Sequence, residues 1–293
     1  MTLEQLRIFV TVAETLNMRA ASETLHLTQP AVSAAVAALE TRYNSRLFDR
    51  VGRGLELNAA GTAFLPEARA VIRQAEKARH VLDDLAGLLR GEVRIAASQT
   101  VATYWLPTRM ARFAALHPGI ELPLTVGNTA QAAQAVLSGH ADLAFVEGTV
   151  DEARLDVSVV GGDRLGLYTT PAHPLVGVAI GPGQLRDASW VMREFGSGTR
   201  DHFSAALAER GIAIADLSIR LTLPSNGAVL EAVGAGEMIG VVSDLAAAAR
   251  LITGSITQLN YTLPARKFRL LMHRDRKASR AVGAFVEALS IAG

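Results

Sequence analysis

Residues 18–39 constrain the fold of this chain more than any other segment, because they encode two short helices with almost no chain between them. Small and apolar residues recur at helical spacing over 18–25, and a second helix begins after a turn at 26–27. Thr28 is a good N-cap for the second helix, and Pro30 falls in its first turn, where the missing N–H costs nothing. Two helices joined by so tight a turn predict a helix-turn-helix, whose second helix fits the major groove of DNA.

An ordered set of short sequence blocks surrounds this motif. In chain order the blocks are Ala20-Ala21, Leu25, Gln29 to Ser33, Leu39-Glu40 and Leu47 to Arg50. The set resembles the N-terminal region of the LysR-type transcriptional regulators, and the resemblance continues more weakly over the rest of the chain. It implies an N-terminal winged helix-turn-helix, a long linker helix and an α/β two-lobed effector domain like a periplasmic binding protein. The chain is therefore expected to be a sequence-specific transcriptional regulator that a small-molecule effector switches.

The resemblance and the hydrophobic pattern divide the chain into three parts. We predict a winged helix-turn-helix at 1–58, a linker and dimerisation helix at 59–90, and an effector-binding domain at 91–293. Within the last part, lobe I comprises 92–162 and 266–293 and lobe II comprises 163–265, so the chain crosses between the lobes twice. Strands, among them 121–126 and 165–169, alternate with helices here, which predicts a parallel α/β sheet.

A wing is predicted directly after the second helix of the motif. Asn44 ends that helix where the family usually has Gly, and Asn is the next best residue for a left-handed cap. Residues 47–57 then read as two short strands around 52–54. The fold class of the N-terminal part is thus α with a small β wing.

Net charge does not single out a DNA-binding region, since the whole chain carries a formal net charge of only +1. The distribution is more informative, because four arginines stand between Arg42 and Arg53 with Asp49 as the single acidic residue among them. Base edges are expected to meet residues near the start of the second helix, and arginines in a wing to meet phosphates. The predicted DNA contacts are Gln29, Pro30 and Ser33 at bases, and Thr28, Arg50 and Arg53 at phosphates.

Apolar residues after the wing step by four and three without a break. They are Phe64, Ala68, Val71, Ala75, Ala78, Leu82, Leu85 and Leu89. More than three heptads of this spacing favour a two-stranded coiled coil about 45 Å long, at about 1.5 Å per residue. The alternative is a helix that lies on its own domain, which would show a wider apolar stripe. A homodimer is therefore expected, and the resemblance adds the tetramers that the family often forms.

Polar residues follow several predicted strands, at the points where helices begin. Ligands of parallel α/β sheets bind at such points. The candidate effector-binding residues are Ser98, Gln99, Thr100, Asn128, Thr129 and Glu147 in lobe I, and Arg193, Glu194, Ser197, Thr199, Arg200 and Asn226 in lobe II. Hydroxyls, helix N-termini and arginines favour a small anion. The stretch 190–200, WVMREFGSGTR, also resembles the branch of the family that is tied to inorganic sulfur and carbon-fixation control.

Each of these residues also has a simpler structural interpretation. Ser, Thr and Asn are the residue types that cap any helix. Arg193 could pair with Glu194 or with Glu147 rather than with a ligand. The same two glutamates also leave room for an amine or a hydroxyl on the effector.

Composition excludes several other classes of function. The chain has no cysteine and seven histidines without ligand spacing, so neither a metal nor a cofactor is predicted. No run approaches the roughly 20 apolar residues of a membrane span. Glu4 precedes any basic residue, unlike in a signal peptide, so a cytoplasmic location is expected and a solute-binding protein of a transport system is disfavoured. The sequence has no nucleophile elbow and no P-loop, and we predict that it is not an enzyme.

Overall fold

The structure is a computed structural model of the 293-residue chain. It describes residues 1–52, 54–85 and 90–291. The chain divides into two compact units, Met1–Leu88 and Leu89–Gly293. Each unit has hydrophobic core clusters of its own.

The N-terminal unit is a three-helix bundle followed by a hairpin and a long helix. Its elements are α1 (Leu3–Thr15), α2 (Met18–Leu25), α3 (Gln29–Tyr43), β1 (Phe48–Val51), β2 (Gly54–Leu57) and α4 (Ala59–Leu85). Side-chain oxygens of Thr2, Asn17 and Thr28 cap the first three helices. His26 and Asn44 adopt left-handed conformations at the ends of α2 and α3. The two strands pair antiparallel, so the predicted winged helix-turn-helix is confirmed.

Two residues at the start of the predicted dimer seam belong instead to the core of this unit. The ring of Phe64 lies 5.1 Å from that of Phe9 in α1, and Ala68 is fully buried. Heptad spacing does not distinguish a partner chain from a neighbouring helix of the same unit, and here α1 covers the first turns of α4. Val71 and Leu82 remain 43% and 68% exposed. The side chain of Leu85 and the whole of Leu89 lie outside the described residues.

The C-terminal unit begins with lobe I and crosses into lobe II along a long strand. Lobe I contains β3 (Gly91–Glu92), β4 (Ile95–Ser98), a π-helical turn (Val101–Trp105), α5 (Leu106–Leu116), β5 (Ile120–Glu121), β6 (Leu124–Gly127), α6 (Thr129–Ser138) and β7 (Leu143–Val146), and the crossing strand is β8 (Leu155–Thr169). Lobe II continues with α7 (Pro182–Asp187), β9 (Ser189–Arg193), α8 (Gly198–Ala208), a 3-10 turn (Ile214–Asp216), β10 (Ser218–Leu223), α9 (Asn226–Gly234), β11 (Ile239–Ser243), α10 (Asp244–Ile252) and β12 (Thr257–Gln258). The chain returns to lobe I through β13 (Ala265–His273) and α11 (Arg280–Ile291).

The main sheet runs through both lobes in the order β10-β9-β11-β8-β13-β7-β4-β6, with β12 beside β8. Strand β4 is parallel to β6 and β7, and β9 is parallel to β10 and β11. Strands β8 and β13 are antiparallel to each other and to their outer neighbours. The sheet is therefore mixed and not parallel as predicted, because the two strands that carry the chain between the lobes run in opposite directions.

Two predicted strands differ in extent from the observed ones. The strand expected at 121–126 is interrupted between β5 and β6, where Pro123 lacks the N–H that a ladder needs. The strand expected at 165–169 begins earlier, at Leu155. Most of its first half is exposed, so it lacks the apolar run by which a buried strand is recognised.

Aromatic residues fill the cores of the two lobes. In lobe I the ring of Trp105 lies 5.8 Å from Phe268, and that of Phe113 lies 5.0 Å from Phe285. In lobe II the ring of Trp190 lies 5.3 Å from Phe203. Over the described parts of the chain, no helix combines the length and apolar character needed to cross a membrane.

Candidate functional site

Helix α3 presents its first turn to solvent. Thr28, Gln29 and Pro30 are exposed and Ser33 is half-buried, while Val32 on the opposite face is fully buried. The Thr28 hydroxyl oxygen accepts the N–H of Ala31 at 3.4 Å. A helix held by its inner face with an open N-terminal turn is suited to enter a major groove.

The outer face of α3 offers few further hydrogen-bonding side chains. Ala34 is exposed, and Ala35 is half-buried against the core of the N-terminal unit. Among the predicted base-reading residues, Gln29 and Ser33 therefore carry the polar groups. Such a surface favours recognition in which DNA shape contributes beside direct hydrogen bonds.

Glu40 joins α3 to the wing, a role that the sequence did not reveal. Its Oε1 accepts the backbone N–H of Leu47 at 2.7 Å and that of Phe48 at 3.3 Å. These bonds fix the start of β1, on which Arg50 is exposed. Arg53, predicted to contact phosphate from the wing, lies outside the described residues, and its role stays a prediction.

The twelve predicted effector residues lie at the boundary of lobes I and II. All are buried except Gln99 and Glu194, which are half-buried. They lie at the carboxyl ends of β4, β7 and β9 and at the N-termini of α6, α8 and α9. The structure thus brings the whole set to the boundary between the two lobes.

Asn226, the first residue of α9, binds lobe I directly. Its Nδ2 donates to Thr100 Oγ1 at 2.9 Å, and its backbone N–H donates to Gln99 Oε1 at 3.1 Å. Within lobe II its Oδ1 accepts a hydrogen bond from Arg193 Nη1 at 3.2 Å. Asn226 therefore ties Arg193 to the end of β4.

The two arginines predicted for the cleft differ in their partners. Arg193 is 2% exposed and forms a two-pronged ion pair with Glu194 at 2.8 and 2.9 Å, one of the two pairings foreseen from sequence. Arg200 donates to the Arg193 carbonyl at 2.9 Å, and its guanidinium lies 4.2 Å from the ring centre of Phe195. Within the part of the chain that the structure describes, Arg200 forms no ion pair. It therefore adds buried positive charge to the cleft.

Arg266 and Asp163 form a buried ion pair that sequence reasoning missed. Arg266 Nε and Nη2 donate to the Asp163 carboxylate at 2.7 and 2.5 Å, and Nη1 donates to Thr199 Oγ1 at 3.0 Å. The two residues lie opposite each other in the β8–β13 pairing, at the points where the chain crosses between the lobes. The sequence did predict that the chain crosses between the lobes at 162–163 and 265–266, and this was the signal from which the pair could have been found.

Glu147 shares the charge of Arg266 with Asp163. Its Oε1 lies 3.6 Å from Arg266 Nη1, and its Oε2 accepts the hydroxyl of Ser98. The side chain is almost fully buried. Burial raises the pKa of Glu147 above its ordinary range, and the nearby Arg266 only partly offsets that effect.

Four buried hydroxyls of the C-terminal unit have no hydrogen-bond partner among the described residues; two belong to Tyr168 and Tyr261 in lobe II, and the other two lie at helix N-termini, one in each lobe. The latter two are Thr129 Oγ1 in the first turn of α6 and Ser197 Oγ at the N-cap of α8, in residues that are 4% and 1% exposed. A Cβ added to Gly198 would lie 2.8 Å from Thr129 Oγ1, so this hydroxyl points at the start of α8. The N-termini of α6 and α8 therefore meet across the cleft.

Comparison with known proteins covers both units. The model of the bacterial regulatory helix-turn-helix protein, lysR family, matches residues 3–62, and that of the LysR substrate binding domain matches residues 86–292. The chain is 35% identical over 289 residues to the RuBisCO operon transcriptional regulator of Allochromatium vinosum, spanning 98% of this chain and 94% of that protein.

Solved structures share the fold. Full-length CbnR in complex with its target DNA superposes with a TM-score of 0.73 at 23% identity, covering 100% of both chains. The regulatory domain of CcmR from Synechocystis PCC6803 in complex with 2-PG gives a TM-score of 0.63 at 26% identity, covering 69% of this chain and 97% of that one. The chain therefore belongs to the LysR family of DNA-binding transcriptional regulators, with an N-terminal helix-turn-helix and an effector-binding domain.

Proposed function

We propose that the effector of this regulator is a small oxyanion that binds between lobes I and II. A sulfur oxyanion or a phosphorylated or carboxylated metabolite is the leading class. Its binding changes the geometry of the lobes, and a dimer formed through α4 passes that change to the DNA-binding units. A ligand that touches both lobes has different affinities for their open and closed arrangements, and that difference is what shifts the equilibrium.

The observation that carries the proposal is the pair of unpartnered hydroxyls of Thr129 and Ser197. A buried hydroxyl without a partner costs about 1–3 kcal/mol, so a ligand that binds these two hydroxyls at the boundary of the lobes would recover that cost. Both stand at helix N-termini, where free N–H groups and the helix dipole favour negative charge. An oxyanion would accept hydrogen bonds from both hydroxyls at once.

The buried charges of the cleft support the same ligand class. Arg193 and Arg266 are paired with Glu194 and Asp163. Arg200 adds a third positive charge, and Glu147, the remaining carboxyl beside Arg266, has its negative form disfavoured by burial, which raises its pKa. An anion therefore complements the cleft better than a neutral or cationic ligand.

Two relatives are consistent with the proposal. One controls a RuBisCO operon, and the regulatory domain of the other was solved with the small molecule 2-PG. Control of a RuBisCO operon agrees with the resemblance of the stretch 190–200 to the family branch that is tied to inorganic sulfur and carbon-fixation control.

We further propose that the unit ending near residue 88 binds DNA as a dimer. The division of the chain between residues 88 and 89 supports a boundary close to the predicted 90–91. Gln29 and Ser33 are the proposed base contacts. Thr28 and the wing arginines are the proposed phosphate contacts.

Calorimetric titration of the full chain with sulfate, thiosulfate and phosphate tests the effector proposal. A hydrogen bond to a charged group contributes about 1.5–3 kcal/mol, so Thr129→Val and Ser197→Ala should each weaken binding roughly 10- to 100-fold. Thr149→Val, a matched change at an exposed residue close to the cleft, should bind like the wild type. Wild-type affinity in both cleft variants would place the effector elsewhere.

A further inference from the structure

Two backbone carbonyls of lobe II rest on the N-terminus of α6 in lobe I. The Phe195 carbonyl accepts a hydrogen bond from Asn128 Nδ2 at 3.2 Å, and the Gly196 carbonyl accepts one from the Ala130 N–H at 3.4 Å. The orientation of the Asn128 amide is fixed, because its Oδ1 caps the helix by accepting the Gln131 N–H at 3.0 Å. The loop between β9 and α8 is therefore held on α6 by carbonyl oxygens.

The donors that these carbonyls occupy are of the kind that binds an anion. A free N–H in the first turn of a helix attracts negative charge, and a carbonyl oxygen carries only part of one. Thr129, which lies between Asn128 and Ala130, keeps its buried hydroxyl unpartnered among the described residues. The two carbonyls thus bind the side-chain amide of Asn128 and the N–H of Ala130, and they leave the hydroxyl of Thr129 without a partner.

We propose that the loop carrying Phe195 and Gly196 is an internal competitor of the effector. An oxyanion that binds Thr129 displaces the two carbonyls from α6, so effector binding separates the lobes along this side of the cleft. The inference rests on the proposed oxyanion function and specifies how that site is regulated.

The close packing of the two lobes around Thr129 leaves no room for an oxyanion unless the loop moves away from α6. A Cβ at Gly198 would lie 2.5 Å from the Gly148 nitrogen, and one at Gly148 would lie 2.7 Å from Thr129 Oγ1. Since even a methyl group does not fit between these backbones, an oxyanion reaches Thr129 only if lobe II moves away from α6. The crossing strands β8 and β13 remain paired through Asp163 and its ion-pair partner in β13, so the movement is a rotation about those strands.

Two substitutions loosen the loop without removing a group that would bind the anion. Gly196 has φ +80°, and a Cβ there would lie 3.2 Å from Ala130 Cβ, so Gly196→Ala pushes the loop away from α6. Phe195→Ala removes the ring that stacks on Arg200, and because this ring is 80% exposed its loss leaves the core intact. Gly227→Ala is the matched control, since no atom lies closer than 4.0 Å to the new Cβ.

The test is the affinity of these full-length variants for sulfate, thiosulfate and phosphate, measured by calorimetry. Competition predicts that both loop variants bind the oxyanion about 3- to 10-fold more tightly than the wild type, and that Gly227→Ala binds like it. Unchanged or weaker binding by Phe195→Ala and Gly196→Ala, with Thr129→Val still defective, would overturn the competition and leave the oxyanion site standing. Absence of oxyanion binding in the wild type and in every variant would overturn both the competition by the loop and the proposed oxyanion site.

Discussion

Arg266 of β13 and Asp163 of β8 form a two-pronged ion pair, at 2.7 and 2.5 Å, between side chains that are 0% exposed. The pair lies where both strands cross between the lobes. Ser243 also donates to the Asp163 carboxylate at 2.6 Å, and Arg266 reaches Thr199 in α8. One buried cluster thus connects the hinge strands to the N-termini of α8 and α10.

Removing the charge of Asp163 should strongly destabilise the C-terminal unit. Asp163→Asn leaves Arg266 buried without its full counter-charge, and breaking a buried pair in this way costs about 3–5 kcal/mol. Urea denaturation of the full chain measures the loss. Asp142→Asn is the control, because its pair with Arg94 is partly exposed, with side chains 28% and 31% accessible, and should cost clearly less. Equal losses in the two variants would contradict the assigned role of the hinge pair.

The buried carboxyl of Glu147 predicts a stability that declines as pH rises. Burial raises the pKa of Glu147 from its ordinary value of 4.5, so the folded chain holds this proton more tightly than the unfolded chain does. The resulting stabilisation is complete below the ordinary pKa and is lost as pH rises through the raised pKa. Glu147→Gln keeps a neutral side chain of similar shape and removes this dependence.

Urea denaturation of the full chain over a pH series tests that prediction. The unfolding free energy of Glu147→Gln, relative to the wild type, should increase with pH above the ordinary pKa of glutamate. Glu237→Gln, a change at an exposed residue of lobe II, provides the control. A difference between Glu147→Gln and the wild type that stays constant with pH would show that Glu147 has no raised pKa.

Base reading and phosphate contact should separate in binding assays. Gln29→Ala should reduce discrimination between operator and altered sites by about 1–3 kcal/mol, because a side chain at the groove reads base edges. Arg50→Ala should weaken binding to all sequences alike and reduce the salt slope by about 1, since Arg50 is a proposed phosphate contact. Arg154→Ala removes an exposed arginine of the other unit and serves as the charge control. Altered specificity in Arg50→Ala would reverse these roles.

Self-association through α4 should depend on Leu82. This side chain is 68% exposed in the single chain, so Leu82→Asp should weaken the dimer without unfolding the N-terminal unit. Burial of a leucine side chain stabilises an interface by roughly 1.5–3 kcal/mol. In a symmetric dimer the substitution is present in both chains, so the loss occurs twice. Sedimentation measures the dimer, and Ala78→Ser, a mild change at another exposed position of the helix, is the control. Unchanged association of Leu82→Asp would remove the proposed seam.

The N-terminal unit was predictable because its signals are local. Thr28 caps the helix that follows it, and Asn44 ends that helix in a left-handed conformation. The cleft was predictable for a related reason, since residues that follow strands gather at one place in an α/β sheet. Local sequence patterns did not predict which helix or strand each element packs against. Ala68 has the spacing of a dimer seam, yet it packs inside its own unit.

Partners within the cleft also escaped the sequence. Pairing of Arg266 with Asp163 depends on the antiparallel register of two strands that lie about a hundred residues apart in the chain. Thr100 and Thr199 were predicted to bind the effector, as Thr129 was, but their hydroxyl oxygens accept hydrogen bonds from Asn226 and Arg266. Thr129 is distinguished only by contacts between the lobes, which no local pattern encodes.

If an oxyanion between the lobes switches this regulator, it must change the affinity for operator DNA. That affinity should be measured with and without an oxyanion in the wild type, in Thr129→Val and in Ser197→Ala. Whichever of sulfate, thiosulfate and phosphate binds most tightly should change the operator affinity of the wild type. Both variants should need roughly 10- to 100-fold more anion for the same change, since each lacks one hydrogen bond to the charged ligand. A full response of both variants at the wild-type anion concentration would contradict the proposal that an oxyanion between the lobes switches this regulator.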